Sequence, residues 1–392
     1  MTTYLLAGGG TAGHVNPMLA IAQRLRRDEP SCTILMLGTA EGLESRLVPE
    51  AGFELLTIAK VPFPRRLNRD ALRFLSRWRA AVAQVRHVLV QRQVDVVIGV
   101  GGYAAAPAYA AAHRERVPFA IHEANARPGL ANRLGARWTR FVGIAIPGTA
   151  IQHGTLVGMP LRPEFEHVVT SAQKREARQS FGLQPDLPTL VITGGSLGSA
   201  RLNETTTAVA SEFGRAGVQI LHITGRGRSV SITSGSVDTG DATSNAGDAT
   251  SNAGDATSNS VKGGYRVLEY CDRMRDALAC ADLVISRAGA STVCEIAALG
   301  LPAVFVPYPV GNGEQRFNAL PLVTTGGAQL VRDADFTPAW MLASVLPLMR
   351  DQARLATMGA ASRELGIRNG AERMCALIQR ARASLPASRE LG

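Results

Sequence analysis

Along the chain, short runs of apolar residues end in Gly, Ser or Thr and give way to segments whose apolar positions recur every three or four residues. The first run is Tyr4–Ala7, and after a glycine loop Met18, Ile21, Ala22 and Leu25 fall at helical spacing. This pattern predicts a buried strand, a tight loop and an amphipathic helix. CTILMLGT (32–39), VDVVIGVGG (94–102), PFAIHEAN (118–125) and RFVGIAI (140–146) repeat it, and a second series follows from PTLVITGGSLGS (188–199) through VQILHITGRG (218–227) and ADLVISRAGAST (281–292) to PAVFVPYP (302–309). Strands alternating with helices pair in parallel and are covered on both faces. The expectation is an α/β protein with a doubly wound sheet in each half. VGMPLRPEFEHVV (157–169), with Pro160 and Pro163, reads as the connection, so the boundary falls near residue 165 and divides 1–165 from 166–392. The last helices, from about 338 to 384, are amphipathic and suited to pack on either half.

Composition supports two cores, since 392 residues at 46% apolar content suffice for two domains of ordinary size. One segment departs from it: GDATSNA (240–246), GDATSNA (247–253) and GDATSNS (254–260) lie within a low-complexity insertion over 234–262. Small polar residues bury too little apolar area to offset ordering entropy, so disorder is expected there. Cys32, Cys271, Cys280, Cys294 and Cys375 are scattered, with no Cys-x-x-Cys spacing, which points to a reducing compartment and away from zinc. The start of the chain lacks the basic residues of a signal peptide, and the uncharged runs 141–161 and 296–313 are broken by Gly and Pro. A soluble protein that does not span a membrane is expected.

Charge sharpens this picture. Residues 60–92 carry nine Lys or Arg (Lys60, Arg65, Arg66, Arg69, Arg73, Arg77, Arg79, Arg86, Arg92) against Asp70, most of a net charge of +10. A local patch of this kind implies an anionic surface as partner. Leu75, Trp78, Val82, Val85 and Leu89 form an apolar stripe beside these arginines. The stripe either faces the core or rests partly exposed on lipid headgroups, with Phe63, Leu67 and Phe74 as its apolar edge. Nucleic acid is disfavoured, because the segment holds only one Trp and two Phe and matches no nucleic-acid module.

The candidate chemistry sits in the loops. AGGGTAGH (7–14) lets backbone amides approach an anion or sugar oxygens, or is a purely structural turn. It is not a dinucleotide fingerprint, because Glu41 and Glu44 come only beyond a Gly-Thr turn after the second strand. His14 is either a general base or a hydrogen-bonded capping histidine. GVGGYAAAP (99–107) and HEANARPGLANR (122–133) add loops to the same edge; Glu123 and Asn125 either face a cleft or satisfy loop backbone. TGGSLGSARLN (193–203) offers Ser196 and amides suited to a pyrophosphate, or is a structural turn, and the missing Walker lysine argues against a P-loop NTPase. In SRAGASTVCEIAALGLP (286–302), Glu295 can accept both hydroxyls of a ribose, or is an ordinary early-turn helix acid. Asp333 and Asp335 precede Thr337 and Pro338 and read as a helix start rather than a metal site.

Taken in order and spacing, GGGTAGH, GGYAAAP, HEANARPGLANR, GGSLGSARLN, SRAGASTVCE and EQRFNALPL resemble the MurG family of bacterial peptidoglycan glycosyltransferases over nearly the whole chain. The resemblance implies a GT-B fold, two Rossmann-like domains whose parallel sheets face a central cleft, with no metal or cofactor. It implies the donor UDP-N-acetylglucosamine (UDP-GlcNAc), held mainly by the second domain, and the acceptor lipid I, undecaprenyl-pyrophosphoryl-N-acetylmuramyl-pentapeptide, on the first. By position in the motifs, Thr11, Ala12, Gly13, Asn125, Arg162, Ser196, Cys271, Ala290, Ser291, Thr292, Val293, Cys294, Glu295 and Gln315 match the family's donor-binding positions, and His14 matches the proposed base. The chain departs from the family pattern at Ala105, Ala106, Ala124, Leu197 and Glu314. The resemblance also implies a peripheral protein on the cytoplasmic face of the bacterial plasma membrane, working with cell-wall synthesis and division proteins. Another GT-B transferase with a different nucleotide sugar is the alternative enzyme.

Overall fold

The computed structural model describes residues 1–61, 69–228, 230, 259–261, 264–310 and 313–384. Phe63, Arg65, Arg66 and Leu67 lie outside the described residues, as do the first two GDATSNA units and most of the 234–262 insertion.

The first sheet comprises β1 (Thr3–Ala7), β2 (Thr33–Gly38), β3 (Glu54–Thr57), β4 (Val96–Gly99), β5 (Phe119–Glu123), β6 (Val142–Ile144) and β7 (Gly154–Leu156). Its order is β3-β2-β1-β4-β5-β6-β7, and every pairing is parallel. The second comprises β8 (Thr189–Thr193), β9 (Gln219–Ile223), β10 (Asn259–Val261), β11 (Tyr265–Leu268), β12 (Leu283–Ser286), β13 (Ala303–Phe305) and β14 (Ala328–Leu330). It runs β10-β11-β9-β8-β12-β13-β14, parallel apart from β10, which pairs antiparallel with β11. Central strands read as unbroken apolar runs because both faces are covered: Tyr4, Leu5, Leu6 and Ala7 are each 0% exposed.

In the first half the covering helices are α1 (Ala12–Asp28), α2 (Glu44–Glu50), α3 (Arg69–Gln91), α4 (Ala105–Glu115) and α5 (Leu130–Gly135). The second half has α6 (Ser171–Ser180), α7 (Ala200–Arg215), α8 (Met274–Ala279), α9 (Ala290–Leu299), α10 (Glu314–Thr324), α11 (Pro338–Trp340), α12 (Leu346–Arg350), α13 (Gln352–Glu364) and α14 (Gly370–Arg382). The last of these crosses back. Met374, Leu377, Ile378 and Ala381 are buried in one cluster with Met18, Ile21 and Leu25 of α1, and each large apolar side chain buried this way contributes roughly 1.5–3 kcal/mol. Polar contacts fix its register: Gln379 donates to the Tyr4 hydroxyl at 2.9 Å and Arg382 to the Thr2 hydroxyl at 2.8 Å.

The stripe on α3 divides along its length. Val82, Val85 and Leu89 are buried in the core with α4, whereas Leu75 is 51% exposed and Trp78 stacks at 6.0 Å on half-buried Phe74. Arg77, Arg79 and Arg86 are exposed. The helix therefore faces the core over its later turns, while Leu75, Arg77 and Arg79 stand exposed beside half-buried Phe74 and Trp78.

Candidate active site between the two sheets

In each sheet the chain order reverses at one point, between β1 and β4 in the first and between β8 and β12 in the second. Loops at the carboxyl ends of strands flank such reversals and form the ligand crevice of open α/β sheets. Here the four loops carry the glycine-rich motifs.

On the first side, α1 starts just after the glycine loop, and the amides of Thr11, Ala12 and Gly13 have no hydrogen-bond acceptor among the described residues. His14 lies half-buried in the first turn of α1, its Nδ1 3.2 Å from the Thr11 hydroxyl. In the tautomer whose Nδ1–H donates to Thr11, Nε2 carries the lone pair that can take a proton. The β4 loop passes close to the ring: Gly101 has φ +90°, and a side chain there would come within 3.1 Å of Nε2. Burial holds the His14 pKa below the usual 6.5, while Glu314, the Gly9 backbone and Glu44 pull upward against it. The imidazole is therefore neutral at physiological pH, the state a base requires.

Glu123 serves the loop that follows β5. Its carboxylate accepts the Asn125 and Gly129 amides and the Asn132 side-chain amide, each at 2.9 Å. Of its two possible roles, satisfying loop backbone is the one seen, and burial raises its pKa against those donors.

On the second side, Ser199 caps α7 by accepting the Leu202 amide at 3.4 Å, while Ser196 stands exposed three residues earlier. The Ser196 and Leu197 amides have no acceptor among the described residues. Arg287, next to β12, donates to the Ser199 hydroxyl at 2.6 Å and pairs with Asp333 at 2.6 Å. Asp333 is thus the counter-ion of a loop arginine. Glu295 sits half-buried on α9 with no hydrogen bond or ion pair among the described residues. Burial raises its pKa to about 7, and neighbouring Arg162 lowers it only in part. A carboxylate drawn from water with its oxygens open has the chemistry to receive two hydroxyl donors.

Helix α10 joins the two sides. The Asn318 side chain accepts the Ala126 amide at 2.9 Å, and its own amide donates to Asn125 Oδ1 at 3.2 Å and to the Ala288 carbonyl at 3.3 Å. One turn earlier Glu314 faces His14, and the Arg127 guanidinium lies 3.8 Å above the Phe317 ring. Helix α10 therefore ties the loop after β5 to the loop after β12 and brings Glu314 to His14. Asn318→Ala is expected to cost about 2–3 kcal/mol, since three hydrogen bonds go and buried backbone groups lose their partner. Equilibrium urea unfolding measures this; a change under about 0.5 kcal/mol would remove the bridge from the energetics.

Residues 4–144 match the glycosyltransferase family 28 N-terminal domain, and residues 189–374 match the family's C-terminal domain. The chain belongs to glycosyltransferase family 28. This family 28 glycosyltransferase is 52% identical over 379 residues to a protein of Leifsonia xyli subsp. xyli (strain CTCB07) named UDP-N-acetylglucosamine--N-acetylmuramyl-(pentapeptide) pyrophosphoryl-undecaprenol N-acetylglucosamine transferase, covering 97% of this chain and 98% of the relative. A relative of the same name from Bifidobacterium adolescentis is 48% identical, over 94% of this chain and 95% of its own. The crystal structure of Acinetobacter baumannii MurG superposes with a TM-score of 0.75 at 26% identity, over 97% of this chain and all of the other. The fold of the glycosyltransferase is GT-B, as its six motifs implied.

The motif residues of this glycosyltransferase fall into groups. Thr11, Ala12, Gly13 and His14 lie at the first loop, and Asn125 and Gln315 lie where the halves meet, Gln315 accepting the Tyr308 amide at 2.9 Å. Ser196 is exposed on the loop after β8, and Arg162 lies near Glu295. Ala290, Ser291 and Thr292 form the first turn of α9. Val293 and Cys294 instead line an apolar seam between the halves with Met159 and Leu365, and burial pushes the Cys294 thiol up to about 12. Cys271 is buried in the second core. Sequence reasoning missed Asn318 and Arg287, although both lie inside quoted motifs, and set Glu44 aside.

Proposed function

We propose that this chain moves N-acetylglucosamine from UDP-GlcNAc to the C4 hydroxyl of the N-acetylmuramyl sugar in undecaprenyl-pyrophosphoryl-N-acetylmuramyl-pentapeptide, inverting the anomeric centre. The observation that supports it is helix α10, which brings Glu314 to the neutral, half-buried His14 while Asn318 ties the loop after β5 to the loop after β12 that leads into α9 and its half-buried Glu295. Full-length relatives bearing that name support the choice of substrates.

In the reaction the C4 oxygen forms a bond to C1 of the donor sugar, and the bond from C1 to the UDP oxygen breaks with its electron pair leaving on the diphosphate. His14 Nε2 takes the C4 hydroxyl proton. The Ser196 and Leu197 amides and the amino end of α7 receive the charge growing on the diphosphate. Glu295 accepts the ribose hydroxyls; Arg162, Cys271, Gln315 and the first turn of α9 complete the donor side. Thr11, Ala12, Gly13 and Asn125 reach the donor sugar from the first half. The test is transfer of labelled GlcNAc to a lipid I analogue, with other UDP-sugars as competing donors.

The acceptor's lipid anchor requires work at a membrane surface. No described helix is long and apolar enough to cross a membrane. The basic segment 60–92 and the exposed Leu75, Arg77 and Arg79 of α3 favour peripheral attachment to the cytoplasmic face of the plasma membrane, where cell-wall synthesis and division proteins would be its neighbours. Changing Arg66, Arg69 and Arg73 together to Glu is expected to weaken sedimentation with anionic vesicles at least about tenfold, as each basic residue near such a surface contributes about 1 kcal/mol. Unchanged sedimentation would reject this attachment.

A further inference from the structure

We propose that Glu44 is a positioning residue for His14, gripping the first glycine loop from beneath through the Gly10 amide. Glu44 opens α2 and is 0% exposed, yet it makes no ion pair among the described residues. Its carboxylate bridges two loops instead. Oε1 accepts the Thr39 amide at 2.9 Å and the Thr39 hydroxyl at 2.8 Å, both in the turn after β2. Oε2 accepts the Gly10 amide at 2.7 Å, in the loop after β1.

The chain is shaped around this group. A side chain at Gly9 would stand 2.3 Å from the carboxyl carbon, one at Gly38 2.5 Å from Cγ, and one at Gly42 2.0 Å from Oε2. Gly10 is followed directly by Thr11, which precedes α1 and holds the imidazole through its hydroxyl at 3.2 Å. A shift of Gly10 therefore passes through one residue to the base. Burial favours the neutral acid, but the Gly10 and Thr39 amides hold the Glu44 pKa below the usual carboxylate range, so the bridge is anionic. That charge also bears on His14, which is faced by Glu314 from α10, by Glu44, by the Gly9 backbone, by the Thr11 hydroxyl and by Gly101 of the β4 loop. Glu44 thus sets both where the imidazole stands and how readily it holds a proton.

The inference rests on His14 acting as base in GlcNAc transfer. The experiment uses the full chain, UDP-GlcNAc and a lipid I analogue, and measures kcat, both KM values and the pH profile. Glu44→Asp keeps the charge but is one methylene too short to span both loops. Its kcat is expected to fall at least about tenfold, as small misplacements of catalytic groups do, with KM for UDP-GlcNAc within about twofold and the acid limb unmoved. Glu44→Gln should show a similar fall and an acid limb moved to lower pH, because losing a nearby negative charge makes the imidazolium easier to deprotonate. Thr39→Val, which trims the same bridge away from the base, should lower the melting temperature while kcat stays near that of the parent. A folded Glu44→Asp or Glu44→Gln with parental kcat, or an unmoved acid limb in Glu44→Gln, overturns the proposal. If the parent transfers GlcNAc and His14→Ala does not, such a result removes Glu44 alone; a parent without transfer activity fails the functional reading instead.

Discussion

His14→Ala is expected to lower kcat for GlcNAc transfer by about 10²–10⁴-fold, the usual contribution of a positioned general base. Affinity for UDP should stay within about twofold, because the donor is held mainly by the second half of the fold. The pH profile of the parent carries the same information. Burial depresses the His14 pKa below 6.5, so the base is neutral and competent at pH 7, and turnover at saturating donor is lost only as pH falls through that depressed value. The acid limb of kcat therefore lies below pH 6.5 and vanishes in the residual activity of His14→Ala. A variant with parental kcat would show that another group takes the proton.

Glu295→Gln is expected to weaken UDP binding about 10- to 100-fold, as hydrogen bonds to a charged group are worth roughly 1.5–3 kcal/mol and Gln offers one acceptor oxygen where the carboxylate offers two. In the parent, burial has raised the Glu295 pKa to about 7. Below that pH the group is protonated and loses acceptor capacity; above it the carboxylate is ready for two hydroxyls. Affinity for UDP should thus increase from pH 6 to pH 8, with proton release near neutrality, whereas the Gln variant should lack this component. Titration calorimetry at three pH values, in buffers of differing ionisation enthalpy, reads both. Equal affinity in the variant, or no proton release in the parent, would take Glu295 out of the ribose site.

Both residues stand out in the sequence as candidates because they sit inside motifs that follow strand ends, where the doubly wound topology gathers ligands. The central strands were legible for a related reason: burial on both faces leaves runs such as Tyr4–Ala7 and Thr189–Thr193 without a polar interruption. Edge strands were not. β7 is exposed at all three positions, β3 is exposed at both ends, and neither has an apolar run to betray it. The stripe on α3 was visible, but only packing shows that Val82, Val85 and Leu89 face the core while Leu75 does not.

The residues missed share one property, which is distance along the chain. Glu44 reaches Gly10 across 34 positions and Asn318 reaches Ala126 across 192. No periodicity encodes such pairs. Glu44 stands beyond the end of β2, where a dinucleotide-binding acid would not be, and the turn at Thr39 brings its carboxylate back to the Gly10 amide. Glu123 remained balanced between two roles until the amides it accepts were located.

Radiolabelled UDP-GlcNAc incubated with the purified protein and a lipid I analogue offers the most direct test, with the product resolved as a lipid-linked disaccharide and its anomeric configuration determined. Labelled disaccharide joined with inversion at C1, and far less of it with His14→Ala, is the expected result. A folded protein that binds UDP yet leaves the analogue unlabelled, or that releases only free GlcNAc, would contradict the assignment.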